Sequence, residues 1–137
     1  MESTSPALNN LESDPAAYLP HREPFLFLDS ILSLDSGRQA SGVKCVTHEN
    51  AQYPGVFLLE SMAQLGGIAA AEKGGEGGFL AAVDRAQFHR PVQPGDRIMI
   101  SVRIVKTFGR LYLLEEEARV DDQLLATADL TLGIGML

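Results

Sequence analysis

The stretch YPGVFLLESMAQLGG, Tyr53 to Gly67, decides the fold. Pro54 and Gly55 open a helix, because a proline in the first turn gives up only an N–H that would have no partner there. From Val56 to about Lys73 the residues are good helix formers and apolar on nearly every face, the composition of a central helix rather than a surface one. Gly66 and Gly67 cost about 1 kcal/mol each against alanine in helix propensity. With Ala63, Ala69, Ala70 and Ala71 they leave a surface of small side chains that a sheet can approach closely. KGGEGG, Lys73 to Gly78, stops the helix.

On both sides of the helix the period changes to that of strands. Before it, Phe25 to Leu34 is predicted as a strand, Asp35-Ser36-Gly37 as a turn, and Arg38 to Val46 as the second strand of a hairpin. After it come strands at Phe79 to Phe88, Arg97 to Thr107, Leu111 to Val120 and Gln123 to Ile134. Pro91 to Asp96, Phe108-Gly109-Arg110 and Asp121-Asp122 separate them. Ile98, Ile100, Val102 and Ile104 alternate with Arg97, Met99, Ser101 and Arg103, a half-buried strand. One apolar helix among antiparallel strands is an α+β pattern. The expected architecture is the hot-dog fold, an antiparallel sheet of five to six strands wrapped around one long central helix. Such a sheet has edges to protect, so at least a dimer is expected. Residues 1–17 read as a flexible or capping segment, and 18–137 as a single domain.

The bulk properties agree with this and exclude other classes. A chain of 137 residues, 45% hydrophobic and 21% charged, is globular and large enough for a core. No apolar run is long enough to span a bilayer. The N-terminus lacks the charged start and apolar centre of a signal peptide. One cysteine, Cys45, cannot form an internal disulfide, which fits the cytoplasm; it is expected to pack in a strand. A net charge of −7 argues against nucleic acid. Three scattered histidines and one cysteine have no metal-ligand spacing, and no cofactor motif is present. Between Arg85 and Arg110 there are six basic residues and one acid, Asp96. They are either solvated strand residues or a basic face for an acidic partner.

Glu60 interrupts the apolar helix. Of its helical neighbours Val56, Phe57, Ala63 and Gln64, only Gln64 is polar, so the two form one narrow stripe. In one reading the stripe is exposed. In the other, Glu60 is a carboxyl group in a poorly solvated cleft, where desolvation suits it to general acid or base work near neutral pH. The N–H of Gly55 or Val56, unpaired at the helix start, would then be available to polarise a carbonyl oxygen.

Four segments, taken in order, resemble the 3-hydroxyacyl-acyl-carrier-protein dehydratases (FabZ/FabA-like) of the hot-dog superfamily. They are LPHREPFLFLD (Leu19 to Asp29), GVKCVT (Gly42 to Thr47), PGVFLLESMAQLGG (Pro54 to Gly67) and DRAQFHRPVQPGD (Asp84 to Asp96). The resemblance implies that Glu60 is the catalytic acid and that Gly55 donates its N–H to the thioester carbonyl. It implies an acyl pocket along the helix, with Val56, Phe57 and Gln64 facing substrate, no cofactor, and acyl carrier protein as partner. Arg85, Arg90 and Arg97 would greet that acidic carrier.

One departure matters. The family places a histidine, which takes the proton alpha to the thioester, in a loop fourteen positions ahead of the acid. Here that loop is shorter by about ten residues, and the position holds Val46. His48 is the one histidine near the right place; His21 and His89 read as structural or surface residues. In the family the histidine and the acid of one site come from different protomers. A chain with the acid alone could therefore be half of a heterodimer with a histidine-bearing homologue. Three readings follow: a dehydratase, a hot-dog thioesterase that needs no histidine, and a non-catalytic module that binds acyl chains or their carrier.

Overall fold

A computed structural model describes residues 11–19, 26–47, 53–71 and 78–135. The strands are β1 (Ser30–Asp35), β2 (Gln39–Cys45), β3 (Gly78–Phe88), β4 (Arg97–Phe108), β5 (Leu111–Val120) and β6 (Gln123–Ile134), and one helix, α1 (Gly55–Ala70), lies between β2 and β3. The strands form one antiparallel sheet in the order β1-β2-β4-β5-β6-β3. The sheet wraps the helix, which is the hot-dog arrangement.

Alternation along each strand places one residue set under the helix. Ile31, Gly42, Ile100, Ala118 and Ala126 stand side by side across five strands and are all buried. Leu58, Met62, Leu65, Ile68 and Ala69 of α1 close over them with 1% exposure or less. The small-residue surface expected on the helix is used as expected. A Cβ on Gly66 would overlap the Leu114 Cδ1 methyl and lie 3.0 Å from Glu116 Oε2 and 3.1 Å from Leu132 Cδ1. The opposite face of the sheet is polar: Ser33, Ser41, Ser101, Glu117, Thr127 and Gln87 form a single cross-strand row.

Two boundaries and the placement of one side chain differ appreciably from those expected. The helix spans 16 residues and ends at Ala70, ahead of Lys73. Its last carbonyls are taken by the β1–β2 turn, Gly37 N–H donating to Ala69 O at 2.7 Å and Ser36 Oγ to Ala71 O at 3.2 Å. β1 starts at Ser30 rather than Phe25, because the N–H of Phe27 is committed to the side chain of Gln64. Cys45 is the last residue of β2 and is exposed rather than packed, since Lys44 takes the inward position opposite Ile98. Before β1, Asp14 caps a 3-10 turn at Pro15–Ala17 and Ser13 O accepts the N–H of Ile31, so the segment from Leu11 is tied to the domain. In the β5–β6 hairpin both Asp121 and Asp122 have positive φ, 50° and 65°, the backbone that a two-residue hairpin requires.

β3 is an edge strand, and all of its residues are exposed. Among the described residues no helix is long and apolar enough to cross a membrane.

Candidate functional site

The helix start lies against the end of β3. A Cβ on Gly55 would approach the Phe88 ring to 3.1 and 3.2 Å, so this position accepts a side chain only if the ring moves. Pro54 provides no side-chain cap. Its carbonyl takes the N–H of Phe57 at 2.9 Å and of Leu58 at 3.3 Å, and no backbone acceptor among the described residues reaches the N–H of Gly55 or Val56. These donors open on a hollow of about 730 Å³ formed by Tyr53, Pro54, Gly55, Phe88 and the 89–92 segment.

One and a half turns along, Glu60 is half-buried in the wall of a second cavity of about 630 Å³. Phe27, Val56, Phe57, Leu59, Leu80 and Val83 form the rest of that wall, so among the described residues the carboxyl group is its one ionisable side chain. Phe27 and Phe57 stack with ring centroids 5.2 Å apart, and Tyr53 meets both edge-on. Val56 and Phe57 are 65% and 41% exposed, open on the side of the unpaired β3 edge.

Gln64 is placed behind Glu60 rather than in the cavity wall and is 2% exposed. Its Oε1 accepts the N–H of Phe27 at 2.9 Å, which leaves its Nε2 to donate to Glu60 Oε2, also at 2.9 Å. The backbone ahead of β1 thus fixes the amide, and the amide fixes one carboxylate oxygen of Glu60. Beside them the Tyr53 hydroxyl pairs with Ser61 Oγ at 2.8 Å, and Ser61 donates to Phe57 O at 3.1 Å. Burial, above all, pushes the Tyr53 phenol up to about 12, with the Ser61 hydrogen bond pulling the other way and the charges of Asp29 and Glu60 adding to the rise. Lys44 Nζ stands over the Tyr53 ring, 5.6 Å from its centroid, and 3.9 Å from Asp29 Oδ2. Sequence reasoning passed over this tie between β2 and the helix start; Lys44 falling on the inward parity of β2 was the available signal.

His48 and His21 lie outside the described residues. His89, read from the sequence as structural or surface, is exposed and lines the hollow at Gly55, its N–H held by Leu125 O at 2.8 Å. The three arginines named for docking have different surroundings. Arg85 pairs with Asp129 across β3 and β6. Arg90 forks onto Asp96 at 3.0 and 3.4 Å and staples the 91–96 loop. Burial raises the Asp96 carboxyl, but Arg90 and the Gln93 N–H together hold it below the usual carboxylate range. Arg97 reaches Met99 Sδ, at 3.2 Å. Arg97, Lys106 and Arg110 form no ion pair among the described residues. The described residues also contain no group of three His, Cys, Asp or Glu able to hold a metal ion.

Comparison with known proteins gives one consistent result. A "3-hydroxyacyl-[acyl-carrier-protein] dehydratase FabZ" of Rhizobium rhizogenes is 39% identical over 125 residues, 82% of this chain and 80% of that protein. The enzyme of the same name from Desulfotalea psychrophila is 39% identical over 128 residues, 82% of this chain and 85% of that one. Among solved structures, the dehydratase heterocomplex ApeI:P from Xenorhabdus doucetiae superposes with a TM-score of 0.77 at 19% identity, over 88% of this chain and 90% of that one. A hypothetical thioesterase with coenzyme A from Streptococcus pneumoniae superposes at 0.63 and 12% identity, over 76% and 83%. At these identities the structures speak for the fold alone. Residues 19–129 match the FabA-like domain, so the chain belongs to the FabA-like family.

Proposed function

We propose that this chain acts on 3-hydroxyacyl thioesters presented by an acyl carrier protein, as the acid-bearing half of a dehydratase site in fatty-acid or related acyl-chain synthesis. The observation that carries the reading is Glu60, a single carboxyl group oriented by Gln64 in the wall of an otherwise apolar cavity. In the reaction a base removes the proton alpha to the thioester, the C–O bond at the beta carbon breaks, and the leaving hydroxyl takes a proton from Glu60 and departs as water. The N–H groups at Gly55 and Val56 stabilise the negative charge that develops on the thioester oxygen. Val56 and Phe57 line the acyl pocket, and Gln64 positions the acid.

The base has three candidate sources. His48 sits in the shortened loop, and His89 stands in the Gly55 hollow. The cavity opens toward the unpaired edge of β3, so a second hot-dog chain seated there would close it and could bring the base. A dehydratase heterocomplex stands among the neighbours in fold, and the partner proposed for this chain is a histidine-bearing homologue. The cytoplasm, where a lone exposed Cys45 stays reduced, is the expected compartment.

The test is an assay with 3-hydroxyacyl-carrier-protein substrates that follows enoyl formation and thiol release together. It compares the wild type with Glu60→Gln, His48→Ala and His89→Ala, alone and with any copurifying hot-dog chain. Enoyl formation lost in Glu60→Gln supports the proposal, and the histidine variant that also loses it identifies the base. Thiol release that depends on Glu60 without enoyl product would replace it with a thioesterase. No Glu60-dependent product in any combination would leave only acyl or carrier binding.

A further inference from the structure

The run Glu115-Glu116-Glu117 on β5 looks like a solvated patch, but the strand places its three carboxylates on two different faces. Glu115 faces Arg103 and Glu117 faces Arg119 on the outer, polar side of the sheet. Glu116 shares the parity of Leu114 and Ala118, points inward and is 4% exposed. It stands in a row with Ala40, Val102 and Ala128 under the helix, where Oε2 would lie 3.0 Å from a Cβ on Gly66. Neither carboxylate oxygen has a hydrogen-bond partner among the described residues.

No charge among the described residues compensates it. On α1 it meets Gly66. On β4 it is met by Val102, on β6 by Ala128, and along β5 by Leu114 and Ala118. Among the described residues, no titratable or charged side chain faces it from any of these elements. Glu60 lines the cavity of Phe27, Val56 and Val83, and strand parity puts the side chains of Arg103, Asp129, Glu115 and Glu117 on the outer face of the sheet. A carboxylate placed here without a cation would have to bear its full desolvation cost. A neutral acid bears much less, and desolvation accordingly drives this group well above the ordinary value of 4.5.

We propose that Glu116 is a proton-binding site built into the core, and that it latches the central helix to the sheet: the folded chain holds it as a carboxylic acid, and loss of the proton loosens the contact at Gly66. The geometry that makes this a latch is the glycine. Gly66 lets the helix backbone approach the carboxyl group without an intervening side chain, so hydration of an ionised Glu116 requires the two layers to separate there. The same helix carries Gly55 and Glu60, so the latch bears on the candidate site without belonging to it. The sign is fixed by linkage. The folded state binds this proton more tightly than the unfolded chain does, so the latch contributes fully below the unfolded value and is lost as pH rises through the folded one.

The test is carbon NMR of the full chain labelled at its glutamate side-chain carboxyls, titrated from acid to alkaline pH, with thermal unfolding followed in parallel. One carboxyl resonance is expected to stay in the protonated position at neutral pH, long after the surface glutamates have ionised, and to vanish in Glu116→Gln. The wild type is expected to lose Tm as pH rises above the carboxylate range, with amide protection falling around Gly66, and Glu116→Gln to lose less. Should Glu116→Gln fail to fold, the wild-type titration alone decides. If all glutamate carboxyls ionise together in the ordinary range, or the Gln variant keeps the full pH slope, the latch does not exist.

Discussion

Replacing each of the paired glycines of the helix by alanine should shift stability in opposite directions. In an open helix either change gains about 1 kcal/mol of propensity. At Gly67 no described residue opposes that gain, since a new Cβ would find Leu19 Cδ2 at 3.8 Å, an ordinary contact, and among the described residues nothing closer. Gly67→Ala should therefore stabilise by about 1 kcal/mol. At Gly66 the same methyl overlaps Leu114 and crowds Glu116 and Leu132, all three buried. Overpacking of this kind costs about 1 to 3 kcal/mol, which cancels or outweighs the propensity gain. The two variants should thus differ by about 1 to 3 kcal/mol although their sequence positions are adjacent. Urea unfolding followed by circular dichroism measures this, at one fixed protein concentration, because association would add to apparent stability. If both alanines move the midpoint by the same amount in the same direction, the helix does not approach the sheet at Gly66 as described.

Three further outcomes are expected. Tyr53→Phe should cost about 1 kcal/mol, since it removes the hydroxyl from Ser61 while Ser61 keeps its bond to Phe57 O. Because the fold favours the neutral phenol, wild-type stability should hold below the ordinary 10.0 and fall as pH rises toward about 12; an alkaline unfolding curve should be flatter in that window for the variant. Gln64→Leu leaves the Phe27 N–H without its acceptor and Glu60 without its orienting donor, and should lower kcat by roughly tenfold to a hundredfold with a smaller change in KM, read by steady-state kinetics. Charge reversal at Arg97, Lys106 and Arg110 together should weaken carrier-protein binding, measured by calorimetry, far more at low salt than at high; an equal effect at both would remove charge steering from the account.

The helix start and the hairpins were legible because their signals are local: a proline at the first turn, strict alternation, paired aspartates in a two-residue turn. The helix end was not, because the residues that terminate it, Ser36 and Gly37, are some thirty positions away and carry no helical signal. The late start of β1 has the same origin, a backbone N–H claimed by a side chain from another element. At the site, the helix register exposed Glu60 as anomalous, and the resemblance gave it a role. Glu116 was hidden in a run of like charges, although its parity with Leu114 and Ala118 already separated it from its neighbours. The basic residues between Arg85 and Arg110 were visible, but which of them are neutralised depends on Asp129, Asp96 and Glu115, contributed by other strands or by the far end of a loop.

The strand order also bears on how the chain is made. β3 pairs only with β6, and from Phe88 to Ile134 the ribosome must add 46 residues before that partner is complete. At ordinary synthesis rates of about 5 to 20 residues per second, the interval is roughly 2 to 9 s. During it Phe79, Leu80, Val83 and Phe88 have no sheet to join. Two of them, Leu80 and Val83, are walls of the Glu60 cavity, so that cavity is among the last parts of the molecule to exist. A nascent chain that carries an apolar strand unpaired for seconds is a client for a chaperone.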